Sequence, residues 1–180
     1  MQQKIITTLK DCPGRLVPVG SATVVPKDSF VTLTQSLGGS YTIVYQGNMI
    51  RVDGADAAAI GFEPFFIQYP TRESGPALAQ DLWNTMRTIY DPEIPVNIVD
   101  LGLIYDVQIK NAVGGTGSIV DVIMTLTAPA CGMGPVIIDD IVSRVSRAPN
   151  VQSVEVELVF DPPWSREMMS EEAQLQLGLF

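Results

Sequence analysis

The hydrophobic pattern of the chain changes texture near residue 70. Up to that point apolar residues come in short runs, Lys4–Leu9, Ser29–Gln35, Tyr41–Tyr45 and Met49–Val52. They are rich in β-branched and aromatic side chains and are broken by turn signals at Pro13-Gly14, Gly38-Gly39 and Gly47-Asn48, which predicts strands. Gly54–Gly61 is too small and polar for a strong strand, and Tyr69–Pro76 reads as a linker. From Pro76 the spacing becomes helical. Ala77, Leu78, Leu82, Met86 and Ile89 form a stripe that ends at Asp91-Pro92, because a residue before proline disfavours the α region. Val99–Ile109 and Ile119–Thr127 read as strands joined by a glycine-rich loop over residues 111–117. Ile137, Ile141 and Val145 predict a helix entered at Pro135, where a missing N–H costs nothing. Val154, Val156, Leu158 and Phe160 alternate with Glu155 and Glu157 as a half-buried strand. Beyond Pro162-Pro163, Ser165 is the expected N-cap of a last helix carrying Met168, Met169, Ala173 and Leu177. The pattern therefore predicts an α/β (α+β) chain. Residues 76–180 form a compact helix-strand-strand-helix-strand-helix domain, with a right-handed crossover between its second and third strands. A small β-rich region over residues 1–70 precedes it.

Composition narrows the chemistry. A chain of 180 residues can bury a core without disulfide staples. Eleven basic against twenty acidic residues give a net charge of −9, and no Lys/Arg cluster supplies a nucleic-acid footprint. No apolar run reaches membrane-spanning length, and Met1–Lys10 lacks a signal-peptide core. Cys12 and Cys131 are too few for a disulfide framework, so a cytoplasmic protein is expected. Histidine is absent, which excludes a Cys-His dyad, a Ser-His-Asp triad and a histidine metal ligand. There is also no Cys-x-x-Cys, so one chain cannot provide the usual four thiolates of a cluster or structural zinc site. A soft metal would need Cys131 plus carboxylates, an external thiol, Cys12 or a second protomer, in an open and labile site.

Cys131 is the most informative residue. It lies in the run from Thr125 to Pro135, between a predicted strand and a predicted helix. A helix N-terminus favours the thiolate, the form that attacks electrophiles and binds metals. Gly132 and Gly134 permit close approach to the sulfur. The competing reading is a small buried cysteine beside packing glycines. Upstream, the run from Asp91 to Tyr105 is pinned by Pro92 and Pro95 and offers the carboxylates of Asp91, Glu93 and Asp100. Either these acids converge with Cys131 at one end of the sheet, or they are solvated and capping groups of a helix-to-strand turn. Trp164, in Asp161-Pro162-Pro163-Trp164-Ser165, more readily closes a core under a turn than anchors a partner. Cys12, in Asp11-Cys12-Pro13-Gly14, sits in a turn-like setting as an exposed bystander thiol. No glycine spacing supports nucleotide binding.

Three stretches taken together carry a resemblance: Asp91 to Tyr105, Met124 to Gly134 and Asp161 to Ser165. They closely resemble the SufT branch of the metal–sulfur cluster assembly family, which also includes PaaD-type maturation factors. The resemblance is strong over residues 76–180. Asp11-Cys12-Pro13 and Leu37 to Thr42 also look like the extra N-terminal region of that branch. It implies an α/β domain with an unusually reactive cysteine, here Cys131, and an accessory role in maturing iron–sulfur proteins without turnover of a substrate. The expected site is Cys131 as reactive thiol and candidate cluster ligand, supported by Asp91, Glu93, Thr127 and Gly132. The expected cofactor is a transient iron–sulfur cluster, and the expected partners are iron–sulfur scaffold or carrier proteins and apo client proteins. One thiolate per chain points to a site completed by a homodimer or by glutathione. The alternative is a metal-free interaction adaptor whose cysteine is structural or regulatory. A thiol-dependent enzyme would have only Asp or Glu as a base.

Overall fold

The structure, a computed structural model, describes residues 3–71, 74–114, 117–129 and 132–179. The chain divides into two compact units. The first comprises Met1–Ile67 with Pro92–Pro95 and Gly132–Val136; the second comprises Gln68–Asp91, Val96–Cys131 and Ile137–Phe180.

Six antiparallel strands among the described residues build the first unit: β1 (Lys4–Thr7), β2 (Cys12–Val17), β3 (Ala22–Val25), β4 (Phe30–Leu37), β5 (Ser40–Tyr45) and β6 (Asn48–Asp53). They are ordered β1-β4-β5-β6-β2-β3. The sequence pattern anticipates β1, β4, β5 and β6 but not β2 or β3, because Cys12-Pro13-Gly14 reads locally as a turn. Pairing decides otherwise: Cys12 lies across from Val25 and Arg15 across from Arg51. At Gly14 a Cβ would stand 2.5 Å from Ile50 Cγ2 and 2.8 Å from the Arg51 carbonyl oxygen, so this glycine marks a close strand approach. Cys12 is completely buried, which corrects the expectation of an exposed thiol in a turn.

One sheet face buries Val25, Val31, Ile43, Ile50 and Val52 with Cys12, under Ala57, Ala59 and Ile60 of a 3-10 helix over Gly54–Ile60. That short helix occupies the stretch too small and polar for a strand. Asp53 opens it by accepting from the Ala55 N–H at 2.9 Å, and Gly61 closes it at φ 81°. Behind it, Phe62 stacks on Tyr41 with ring centroids 4.9 Å apart. Phe65 donates its N–H to the Gly54 carbonyl at 3.0 Å and lays its ring over Gly39. A methyl at Gly39 would overlap that ring, and one at Gly54 would collide with the Gly39 carbonyl oxygen. Elsewhere in the sheet, buried Arg51 donates from Nη1 to Gln35 Oε1 at 3.2 Å and Thr42 Oγ1 at 3.3 Å.

The second unit contains α1 (Ala79–Met86), β7 (Ile104–Asn111), β8 (Ser118–Met124), most of α2 (Gly134–Val145), β9 (Val151–Leu158) and α3 (Glu171–Gln176). β7 and β8 form an antiparallel hairpin, and β9 joins β8 in parallel after the α2 connection. This is the α+β class that the hydrophobic pattern predicts. β8 alternates fully buried Ser118, Val120, Val122 and Met124 with half-buried Ile119, Asp121 and Ile123, so one sheet face belongs to the core. Leu82 and Met86 of α1 and Ile137, Ile141 and Val145 of α2 are buried with it. Arg144 of α2 donates from Nη1 to the Thr88 carbonyl at 3.0 Å and to Thr88 Oγ1 at 2.8 Å. A cation there satisfies acceptors just beyond the C-terminus of α1, where the helix dipole favours positive charge. Ahead of α1, the Tyr69 hydroxyl meets Thr85 Oγ1 at 2.7 Å and the Ala77 N–H donates to Ser118 Oγ at 2.9 Å.

Two boundaries differ from the sequence expectation. β7 starts at Ile104, because the residues from Val99 to Leu103 are taken up by a turn. Ser165 precedes a 3-10 turn over Arg166–Met168 without a side-chain cap, while Ser170 Oγ accepts from the Ala173 N–H at 3.1 Å and starts α3. Among the described residues no helix is long and apolar enough to cross a membrane.

Overpacking a tight site costs roughly 1–3 kcal/mol. Gly54→Ala is expected to destabilise the protein on that scale through its collision with the Gly39 carbonyl. Gly47→Ala meets nothing within 4 Å and should cost only the left-handed strain of its φ of 79°, about 1–2 kcal/mol. Urea unfolding compares them, and a Gly54→Ala midpoint equal to wild type would show that the approach is not tight.

Candidate functional site

The run from Asp91 to Tyr105 builds one turn. Tyr90 bridges Asn97, and the Ile98 N–H donates to the Ile89 carbonyl at 2.9 Å, which carries the chain back past the end of α1. Asn97 Oδ1 then accepts from the Val99 and Asp100 N–H groups at 3.0 and 2.9 Å, while its Nδ2 donates to Asp100 Oδ2. This arrangement is the side-chain mimicry of a backbone turn for which Asn and Asp are suited. Gly102 completes the turn at φ 71°, with its Cα so close to the Met168 carbonyl that no side chain fits. Trp164 donates its indole N–H to the Leu101 carbonyl at 2.8 Å, and the Ser170 N–H donates to the Asp100 carbonyl at 2.9 Å. Trp164 therefore closes the turn, as expected, and Tyr105 adds a hydrogen bond from its hydroxyl to the Pro162 carbonyl at 2.8 Å.

The same turn receives the end of β8. The Thr125 N–H donates to the Leu103 carbonyl at 2.8 Å, so the segment entering the cysteine loop leaves the sheet beside the turn. Thr125 is fully buried, and its hydroxyl has no hydrogen-bond partner among the described residues. Leu126 is buried, Thr127 half-buried, and Ala128 and Pro129 exposed. Cys131 lies outside the described residues. On its far side Gly132 is exposed, Met133 is buried and α2 begins at Gly134.

Asp91 is only 5 % exposed, which corrects its reading as a solvated loop acid, whereas Glu93 is exposed. Asp91 and Thr127 belong to the second unit, Glu93 and Gly132 to the first. Asp100 does serve the turn, by accepting from Asn97. The clamp function of Asn97 is the local feature that spacing alone does not assign, although an Asn three positions before an Asp is the signal that could have found it.

The donor set for a soft metal is small. Among the described residues no group of three or more Cys, Asp or Glu is placed to hold a metal ion. Burial pushes the Cys12 thiol up to about 11; nearby Asp56 adds to the rise and Lys10 opposes it. A thiol held protonated in a sheet core is neither a nucleophile nor a ligand near neutral pH. That leaves Cys131 as the thiolate candidate in the chain.

Comparison with known proteins points in one direction. The sequence profile of a family described as iron–sulfur cluster assembly protein matches residues 79–158, a span that includes Cys131 and the Asn97 turn. Over 99 residues the chain is 48 % identical to an Fe–S protein maturation auxiliary factor of Porphyromonas gingivalis, covering 55 % of this chain and 90 % of that protein. Over 91 residues it is 40 % identical to the Fe–S protein maturation auxiliary factor SufT of Staphylococcus aureus, covering 51 % of this chain and 98 % of that protein. Among solved structures, a conserved hypothetical protein of Thermotoga maritima is 36 % identical with a TM-score of 0.50, covering 59 % of this chain and 99 % of that one.

The two thiols should separate on alkylation. Iodoacetamide near neutral pH is expected to label Cys131 well before Cys12, whose labelling in the folded protein should rise only as pH nears about 11. The fold holds the Cys12 thiol in its protonated form, and an unfolded thiol ionises from about 9.0. The stability this contributes is therefore fully present below that pH and lost as pH climbs toward about 11. Labelling of Cys12 at the rate of Cys131 in the native state would contradict its burial.

The two acids should separate as well. Glu93→Gln is expected to shift stability by no more than about 0.5 kcal/mol, as exposed substitutions do. Asp91→Asn disturbs a buried polar group and should cost about 1–3 kcal/mol. Unfolding midpoints read both, and equal small shifts would return Asp91 to the solvated class.

Proposed function

This chain belongs to the iron–sulfur cluster assembly protein family, and from that premise we propose that it is an accessory factor in the maturation of iron–sulfur proteins. In this proposal the Cys131 thiolate briefly holds or hands over a cluster, which is cargo and not a resident cofactor. The observation that carries the reading is the family match over residues 79–158, the stretch of the chain in which Cys131 lies. The SufT-named relative at 40 % identity supports the same assignment. The chemistry of the donors is consistent with it. With Cys12 buried and protonated and histidine absent, each chain contributes one thiolate. A cluster would then be completed by a second protomer or by an external thiol such as glutathione, and a site so made would release its cargo readily.

The Asn97 turn would give this role its geometry. It fixes the residue at which β8 releases the chain toward Cys131, through the Thr125 to Leu103 hydrogen bond. The thiol would then be presented from a taut loop ahead of α2, whose N-terminal dipole stabilises the anion. No group in this scheme turns over a substrate, so the role is accessory and not enzymatic. Its partners would be iron–sulfur carriers or scaffolds and apo clients in the cytoplasm.

Anaerobic reconstitution tests the proposal. Wild type and Cys12→Ser are expected to take up iron and sulfide with visible absorbance, and Cys131→Ser to lose it. Colourless wild type that still binds apo client would establish a metal-free adaptor instead. Cluster retention in Cys131→Ser would remove this thiol from the site.

A further inference from the structure

The segment Gly132–Val136 follows Cys131 directly in the sequence, yet it packs as part of the first unit, with the N-terminal sheet. Met133, Gly134 and Val136 of this segment are buried, and Gly132 is exposed. The position a side chain would take at Gly132 is directed at Pro18, also in the first unit. A Cβ at residue 132 would stand 3.1 Å from Pro18 Cβ and 3.3 Å from Pro18 Cγ, closer than optimal carbon–carbon contact. The glycine whose openness the sequence assigns to approach of the sulfur is thus the glycine that admits a proline ring.

Pro18 is itself held in place. It follows β2, an interior strand paired with both β3 and β6, and begins the turn into β3. Across that turn the Gly20 N–H donates to the Leu16 carbonyl at 2.7 Å, and the Leu16 N–H to the Ser21 carbonyl at 2.8 Å. Arg15 Nη1 adds a hydrogen bond to the Gly20 carbonyl at 3.2 Å. Gly20 adopts φ 74°, the left-handed conformation that lets so short a turn close. A pyrrolidine ring fixes its own φ and has no free side-chain rotor, so its position follows from that of the turn.

We propose that Pro18 is a positioning residue for Cys131. The β2–β3 turn would be a fixed abutment for the residue that follows the thiol. Planar peptide geometry links Gly132 rigidly to its neighbour, so a displacement at Gly132 is carried to Cys131. This gives the N-terminal sheet a part in presenting the thiol, and it rests on the reading of Cys131 as the working group.

A double-substitution cycle on the full-length protein tests it, with iodoacetamide labelling of Cys131 read by peptide mass and unfolding midpoints read alongside. Gly132→Ala should slow labelling about tenfold in the wild-type background and less than about twofold beside Pro18→Gly, a coupling of the size found between residues in contact. Pro18→Gly alone should slow labelling by a smaller factor. Val19→Ala, at an exposed side chain of the same turn, should leave the rate unchanged. A contact that served stability alone would couple the midpoints and leave the labelling rates equal, which would overturn the proposal. Equal slowing by Gly132→Ala in both backgrounds would place the effect in the loop itself and overturn it too. In the unsubstituted protein a nuclear Overhauser contact between Gly132 Hα and the Pro18 ring is expected, and its absence would overturn the proposal even where a variant does not fold. Anaerobic uptake of iron and sulfide separates the two readings. Labelling coupling in a protein that takes up no cluster keeps the positioning role and removes the maturation role, and cluster uptake without coupling does the reverse.

Discussion

Three parts of the second unit meet at the Asn97–Leu103 turn, and the close packing of Gly102 against the Met168 carbonyl is what allows them to meet. The end of α1 is tied in through Ile89 and Ile98, the end of β8 through Thr125 and Leu103. The indole of Trp164 and the backbone of Ser170 bring the C-terminal segment onto the Leu101 and Asp100 carbonyls. A Cβ at residue 102 would push that segment away and expose buried carbonyls that then lack donors, so the constraint is steric first and polar second. The resemblance motifs fall on these residues. Much of what looks like a chemical signature in Asp91 to Tyr105 and Asp161 to Ser165 is therefore the signature of a turn and its lid.

The chemistry that remains is narrow. Burial removes Cys12 from consideration, because a protonated thiol in the middle of an apolar sheet has no route to a metal or an electrophile. The family match covers the stretch that contains Cys131, and the Asn97 turn lies beside the strand that precedes it.

Of the fold, the hydrophobic pattern alone determined the strands with clean alternation or β-branched runs, β4, β5, β8 and β9, and the two longer helices. These elements bury a face whose period is written locally, so neighbours need not be known. Composition alone excluded every histidine-based site, and the rarity of cysteine limited each chain to two thiols. The segment around Cys131 was legible as a strand-to-helix loop because a β-branched run, a proline and a helical stripe occur in succession.

Tertiary structure decided the rest, wherever the determining contact lies far off in sequence. Cys12-Pro13-Gly14 is a strand because Val25 and Arg51 flank it, and the same contacts bury the thiol that its local setting would expose. Gly54–Ile60 is a 3-10 helix because Asp53 caps it and Ile60 and its alanines close the first core. Asp91 is buried although its sequence neighbours are those of a surface turn. Ser170, and not Ser165, caps the last helix because the residues after Trp164 are drawn onto the Asn97 turn before they can coil. Which acids oppose one another across β8 and β9 depends on a parallel register set by a helical crossover, and no local pattern encodes that register.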